Sequence, residues 1–146
     1  MTWTELHHNC EHGNFFEIIE RCKTHPEEAT QVDDHGSTPL HVFFWMNSLV
    51  GEMCKKALIK LVACNPDAFM AKDTNGDTPL HVAFYLNRNM SEVYDLDFPA
   101  KAAEIANLEG QYLIHMACRY NPSCLELIKR LIELNPNALQ VKTRVS

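Results

Sequence analysis

A nine-residue block that returns along the chain is the sequence feature that most constrains its fold. Asp34-His35-Gly36-Ser37-Thr38-Pro39-Leu40-His41-Val42 recurs as Thr74-Asn75-Gly76-Asp77-Thr78-Pro79-Leu80-His81-Val82, and weaker copies occupy Thr4–His7 and Gly110–Ala117. The histidines of the four copies are 34, 40 and 34 residues apart. A period of this size is typical of arrays in which each repeat is one small supersecondary unit. The sequence therefore predicts a single domain, residues 1–146, with four repeats at about 2–35, 36–75, 76–109 and 110–146.

The block also indicates where the first helix of each repeat begins. A glycine after two turn-forming residues suits a backbone with positive φ, so Gly36, Gly76 and Gly110 predict tight turns. A threonine after the glycine is a good N-cap, and a proline at the first helical position loses no hydrogen bond. A second apolar helical pattern follows in each repeat and ends before a proline. Each repeat should therefore contain two helices and an extended turn.

This arrangement resembles the ankyrin repeat, whose signature Thr-Pro-Leu-His is present twice. A tetratricopeptide array shares the 34-residue period but lacks this block. The resemblance implies an all-α fold, a solenoid of stacked helix-turn-helix units whose hairpin turns project to one side. It also implies a structural role for the signature histidines, which would bridge turn and helix backbones of adjacent repeats. The signature residues are Gly36, Thr38, Pro39, Leu40, His41, Gly76, Thr78, Pro79, Leu80, His81, Gly110 and His115.

Three departures from the pattern predict local differences between the repeats. Repeat 4 has Tyr112, Leu113 and Ile114 where Thr, Pro and Leu belong, so its helix cap should be weaker. Six extra residues between the signature histidine and the proline of repeat 2 predict a longer loop around Asn47–Met53. In repeat 3 the stretch from Ser91 to Phe98 is short and acidic, and we expect it to be irregular.

The resemblance also implies which residues bind a partner, because the family varies its hairpins and two positions on the first helix. The helix positions hold the residue types that are enriched at the centres of interfaces. They are Glu11, His12, Trp45, Met46, Tyr85, Leu86, Arg119 and Tyr120. The hairpin rim holds His35, Ser37, Thr74, Asn75, Asp77, Glu109 and Gln111. The alternative is that Trp45 and Met46 pack under the longer loop, and that Tyr85 and Tyr120 extend the core.

Composition and charge narrow the class of partner. Thirteen Lys and Arg residues against nineteen Asp and Glu give a net charge of −6, and the basic residues are scattered. We therefore expect no nucleic-acid partner. No apolar run approaches the ~20 residues of a membrane helix, so no membrane association is expected. The six cysteines form no Cys-x-x-Cys pair, which favours free thiols and a cytoplasmic or nuclear location.

One short motif suggests catalysis. His8-x-x-Glu11-His12 fits the H-x-x-E-H pattern of inverted zinc peptidases, with two histidines one helical turn apart. Such enzymes need a third ligand and a larger domain, and His7 already belongs to the repeat signature. We expect no catalytic residue, no resident metal and no cofactor.

The leading functional expectation is a non-enzymatic protein-interaction module, an adaptor or a competitive inhibitor, which uses a concave face of first helices and hairpins. The alternatives are a zinc-dependent hydrolase built on His8, Glu11 and His12, and a subunit of a larger assembly. The last helix is apolar around much of its circumference, which predicts an exposed patch that includes Leu131 and Ile132. Such a patch would support self-association through the C-terminal repeat.

Overall fold

The computed structural model describes residues 3–86 and 90–140, and within these ranges the regular structure is entirely helical. Eight α-helices are described, namely α1 (Glu5–His12), α2 (Phe15–Thr24), α3 (Pro39–Met46), α4 (Glu52–Cys64), α5 (Pro79–Tyr85), α6 (Met90–Tyr94), α7 (Leu113–Tyr120) and α8 (Leu125–Leu134). Four short 3-10 helices follow the even-numbered helices, at Pro26–Thr30, Pro66–Met70, Ala100–Glu104 and Pro136–Gln140. None of the described helices has the length and apolar character needed to cross a membrane.

The helices form two layers. The first helix of each repeat (α1, α3, α5 and α7) packs against the first helix of the next, and α2 packs against α4 in the second layer. The side chains between the layers form one apolar core, in which Leu40 and Leu80 are buried. A leucine in this position buries its side chain between neighbouring repeats, which stabilises the stack as a whole.

The signature residues cap the first helices as the sequence predicts. The hydroxyl oxygens of Thr4, Thr38 and Thr78 accept the backbone N–H of the histidine three residues later, at 3.2, 3.4 and 3.4 Å. In repeat 4, Tyr112 gives no side-chain cap; its N–H donates to Nδ1 of His115 and its backbone oxygen accepts the N–H of His115, both at 3.0 Å. The weaker cap predicted for this repeat is therefore present, because tyrosine has no side-chain oxygen within reach of the helix end.

The hairpins between repeats depend on glycine. Gly36, Gly76 and Gly110 have φ of 73°, 74° and 77°, in the left-handed region that other residues rarely adopt. Gly76 also lies so close to the next hairpin that a Cβ there would be 2.7 Å from the nitrogen of Leu108. The next hairpin could not approach this closely if any other residue stood at position 76.

The insertion in repeat 2 divides between a loop and a helix. The loop spans residues 47–51, and α4 begins at Glu52, so the predicted loop ends two residues earlier than expected. Leu49 (φ 60°) and Gly51 (φ 99°) turn the chain, and the side chain of Leu49 is buried. This buried leucine holds the loop against the core.

The C-terminal repeat only partly matches the predicted apolar patch. Leu131 is fully buried, as is Leu127, so including Leu131 in an exposed patch was wrong. The reason is that α8 turns this face toward the 3-10 helix Ala100–Glu104 and toward α7, which cover it. Leu125 and Ile132 remain exposed on the opposite side of the helix.

Candidate protein-interaction groove

The signature histidines hold each hairpin against the first helix of the preceding repeat. The Nε2–H of His7, His41 and His81 donates to the backbone oxygen of Ser37, Asp77 and Gln111, at 3.0, 2.9 and 2.9 Å. Nδ1 of each ring accepts the backbone N–H of the capping threonine, at 3.1 to 3.2 Å. One nitrogen must donate and the other must accept, so each ring is the neutral Nε2–H tautomer.

Burial keeps these rings neutral. It lowers the pKa of His7 and His41 below the usual histidine value, and it lowers the pKa of His81 to about 4. The bond to the next hairpin partly opposes this shift, because a carbonyl oxygen stabilises the protonated ring. The bridges are therefore fully formed at neutral pH.

Further hydrogen bonds join the hairpins into one wall. Asp33, Asp73 and Asn107 occupy the same position in their hairpins, and Oδ1 of each accepts two backbone N–H groups at 2.8 to 3.0 Å. Each hairpin also donates to the one before it, through Thr74 N–H to His35 O at 2.9 Å and Leu108 N–H to Asn75 O at 3.2 Å. This wall stands beside the layer of first helices and leaves a groove between them.

The groove consists of two adjoining depressions that share Trp45, Asn75 and Val82. The first has a volume of about 430 Å³ and the second about 540 Å³. The first is lined by Trp3, Glu11, Asp33, His35, Ser37, His41, Val42, Trp45, Met46, Asp73, Thr74, Asn75 and Val82. The second is lined by Trp45, Asn75, Asp77, Val82, Tyr85, Asn107, Leu108, Glu109, Gln111, Met116, Arg119 and Tyr120. Trp45 therefore stands at the centre of a continuous groove.

Large side chains project into this groove instead of completing the core. Trp45, Met46 and Tyr85 are 53%, 47% and 51% exposed, so the loop of residues 47–51 does not bury the first two. The rings of Tyr85 and Tyr120 meet edge to face at 5.2 Å, and the guanidinium of Arg119 lies 5.4 Å from the centre of the Tyr120 ring. These contacts order the side chains and leave part of their apolar surface open.

The groove gathers most of the residues that the sequence proposes for partner binding. All of them line one of the two depressions except two: the ring of His12 lies against that of His8 at a tilt of 58°, and Leu86 is half-buried against the core at the end of α5. Sequence reasoning missed Trp3, Asp33 and Asp73, which also line the groove. Trp3 stands immediately before the capping threonine of its repeat, as Ser37 and Asp77 do in theirs. This equivalent position could have identified Trp3 as a groove residue.

Comparison with known proteins agrees with this geometry. An ankyrin-repeat family model matches residues 109–140. This segment is an ankyrin repeat. The match covers both helices of repeat 4, which has neither the insertion of repeat 2 nor the short α6 of repeat 3. No curated protein matches the chain.

The other repeats share the ankyrin architecture of this segment. Each described repeat has the same order of helix, helix and 3-10 turn, and three of the four are joined to the next hairpin by the same histidine bond. The fold is thus the all-α ankyrin-repeat fold. Ankyrin repeats are in general protein-interaction modules without catalytic activity, and the groove is a surface on which such an interaction can take place.

His8, Glu11 and His12 form a cluster on α1, in which Glu11 also lines the first depression whereas His8 and His12 do not. One ligand atom from each residue lies within 4.8 Å of the others, and the histidine rings are 4.4 Å apart. A zinc hydrolase needs three protein ligands and a separate general base. If Glu11 is a ligand the base is missing, and if Glu11 is the base only two ligands remain within this cluster. Among the described residues this cluster therefore lacks one of the groups that hydrolysis requires.

Proposed function

We propose that this ankyrin array is a non-enzymatic module that binds another protein through the groove between its first helices and its hairpins. In that role it would act as an adaptor or as a competitive inhibitor. The observation that carries the proposal is the position of Trp45, which is half exposed and borders both depressions. Large aromatic side chains near the centre of an interface supply much of its binding energy.

The surroundings of Trp45 support this role. Tyr85 and Tyr120 extend the aromatic surface along the second depression, while the exposed hairpin residues Thr74, Asn75 and Glu109 form a polar rim. Gln111, which the sequence also places on this rim, is buried. An apolar centre with a polar rim is the usual anatomy of a protein interface. The wall that presents the rim is rigid because the buried histidines fix it, so little order would have to be gained on binding.

The proposed location is the cytoplasm or nucleus. All six cysteines are free, and Cys10, Cys22 and Cys54 are buried. Burial raises the pKa of each of these three thiols, which keeps them protonated and unreactive. This state fits a reducing compartment.

A matched pair of aromatic substitutions tests the binding proposal. Trp45→Ala removes the central groove residue, and Phe16→Ala removes an exposed aromatic side chain on α2, outside the groove. Proteins captured by the wild type should be captured by Phe16→Ala and lost with Trp45→Ala. Against a purified captured partner, titration should show a loss of about 2 kcal/mol or more for Trp45→Ala only. Equal affinity of both variants would contradict the proposal, provided that both unfold like the wild type.

We also propose that the chain self-associates through repeat 4, because the side chains of Leu125 and Ile132 are exposed there. Two exposed apolar side chains on one helix favour contact with another chain. Sedimentation over a wide concentration range should show an oligomer that Leu125→Glu with Ile132→Lys disperses, while Ile59→Lys on α4 leaves it intact. A strict monomer would refute this second proposal and leave the first untouched.

A further inference from the structure

Charge is divided between the two sides of the array. The first helices α1, α3, α5 and α7, together with the hairpins 33–37, 73–77 and 107–111, carry seven carboxylates and only one Lys or Arg, namely Arg119. The three longer second helices carry seven Lys and Arg residues against five carboxylates. The first helices and hairpins are therefore strongly electronegative, and the three longer second helices are not.

The first depression is the more negative half of the groove. Glu11, Asp33 and Asp73 line it, with no Lys or Arg among its lining residues. In the second depression the carboxylates of Asp77 and Glu109 are accompanied by Arg119. Carboxylates gathered in a cleft with low-dielectric walls attract cations more strongly than the same charges on an open surface.

The first depression also offers aromatic faces for a cation. Trp3 and Trp45 both line it, and each exposes about half of its surface. Trp3 is ordered by stacking on the ring of His7 at 5.2 Å. Tryptophan is the best partner for cation–π contacts, and a planar guanidinium both stacks on such a ring and bonds to carboxylates in a bidentate way.

We propose that the first depression binds an arginine side chain presented by the partner protein, stacked on tryptophan and paired with Glu11. This assignment rests on the groove being the binding surface. Asp33 and Asp73 contribute their charge from the hairpin wall, where Oδ1 of each is bonded to backbone N–H groups. The same carboxylates would repel the phosphates of a nucleic acid.

The experiment uses a displayed library of random peptides, selected on the full chain and counter-selected on Trp45→Ala. Peptides that depend on Trp45 should carry arginine, and replacing that arginine by citrulline should weaken binding by roughly tenfold or more. Their affinity should fall as salt is raised. Glu11→Gln should weaken the arginine peptides several-fold, whereas Glu17→Gln, at an exposed carboxylate on α2, should leave them unchanged.

The outcomes separate this assignment from the proposed function. Peptides that require Trp45 but are apolar or acidic, or that carry lysine without preference for arginine, would overturn the arginine assignment and keep the groove as the binding surface. A selection that enriches nothing after the counter-selection, either because no peptide binds or because all binders also bind Trp45→Ala, would count against both. Equal effects of Glu11→Gln and Glu17→Gln would show that only overall charge matters, which would also overturn the assignment.

Discussion

Repeats 1 and 2 are joined differently from repeats 2 and 3. Two asparagine amides of repeat 2 donate to backbone oxygens of repeat 1, Asn47 to Cys10 at 2.9 Å and Asn65 to Ala29 at 3.0 Å. The same two positions in repeat 4, Asn121 and Asn135, donate back to repeat 3. Among the residues that the structure describes, two repeat pairs are therefore clamped by side-chain amides at both positions.

Repeat 3 holds an apolar residue at the second of these positions, where Phe98 precedes its proline. Its first position is Asn87, which lies outside the described residues. Phe98 is buried, with its ring 6.3 Å from Phe69 of repeat 2, and the guanidinium of Arg130 lies 4.2 Å above it. At the position before the proline, the junction of repeats 2 and 3 thus has aromatic packing where its neighbours have a side-chain hydrogen bond.

The stretch from Ser91 to Phe98, which the sequence predicts to be irregular, is helical as far as Tyr94 and irregular only after it. This part of repeat 3 is supported from repeat 4. Arg130 of α8 donates to the backbone oxygens of Tyr94 and Leu96, at 2.9 and 3.3 Å. These bonds satisfy carbonyl groups that a longer helix would have used internally. The comparison shows that one position in a repeat can hold the stack by two different kinds of interaction.

The largest expected effect is at the aromatic junction. Phe98→Ala should lower the free energy of unfolding by about 3–5 kcal/mol, because it leaves a cavity and removes the ring below Arg130. Tyr94→Ala, at a ring that is partly exposed and 5.8 Å from the same guanidinium, should cost less. Urea denaturation measures both, and a loss below about 1 kcal/mol for Phe98→Ala would mean that packing does not hold this junction.

The second effect concerns acid, which should weaken the histidine bridge between repeats 3 and 4. The pKa of His81 is lowered from 6.5 to about 4, so the folded state binds this proton less readily than the unfolded state. The contribution of this group to the free energy of unfolding is therefore fully present above pH 6.5. It falls by about 3 kcal/mol as the pH drops toward 4. Asp73, Lys72 and His41 also act on this ring.

Variants separate this histidine from other acid-sensitive groups. In urea titrations between pH 6.5 and 4, the free energy of unfolding of His81→Gln should fall less steeply than that of the wild type. The control is His8→Gln, at an exposed histidine on α1, which should fall like the wild type. Glu28 contributes in the same direction, because its bond to Arg21 lowers its pKa below 4.5. An unchanged slope in His81→Gln would contradict the assigned tautomer and bridge.

Smaller losses are expected at the amide clamps. Asn65→Ala removes a donor to Ala29 and should cost about 1–2 kcal/mol, and Asn135→Ala should cost a similar amount at its bond to Ala103. Because the two sites are two repeats apart, the double variant should show the sum of the single losses. A clear difference between the losses in free energy of unfolding of the two single variants would mean that the two clamped pairs are not equivalent.

The smallest effect belongs to the ion pair at the junction of repeats 2 and 3. Lys55 Nζ lies 3.3 Å from Glu92 Oε2, and both side chains are partly exposed. Such a pair contributes about 0–1 kcal/mol. A double-mutant cycle with Lys55→Met and Glu92→Gln should give a coupling in that range, and it should shrink in high salt. A larger coupling would mean that this ion pair secures the junction in addition to its aromatic packing and its backbone hydrogen bonds.

Much of the fold follows from local signals in the sequence. The spacing of His7, His41, His81 and His115 predicts the number of repeats, and Gly-x-Thr-Pro predicts the hairpin, the cap and the helix start. These features depend on residues within a few positions of one another, through φ preferences and capping bonds. The family resemblance likewise indicates most of the groove residues, because equivalent positions of stacked repeats face the same way.

Tertiary structure alone decided what lies between repeats. The amide of Asn65 reaches Ala29, 36 residues away, and Phe98 meets Phe69 only because repeat 3 stacks on repeat 2. The same holds for the burial of Leu131, whose apolar neighbours along α8 gave no sign of which side would be covered. Contacts between residues about one repeat apart depend on how helices rotate and stack, and periodicity along one helix does not specify that. The sequence by itself thus determined the repeat and its turns, and stacking decided which side chains clamp the array and which remain open in its groove.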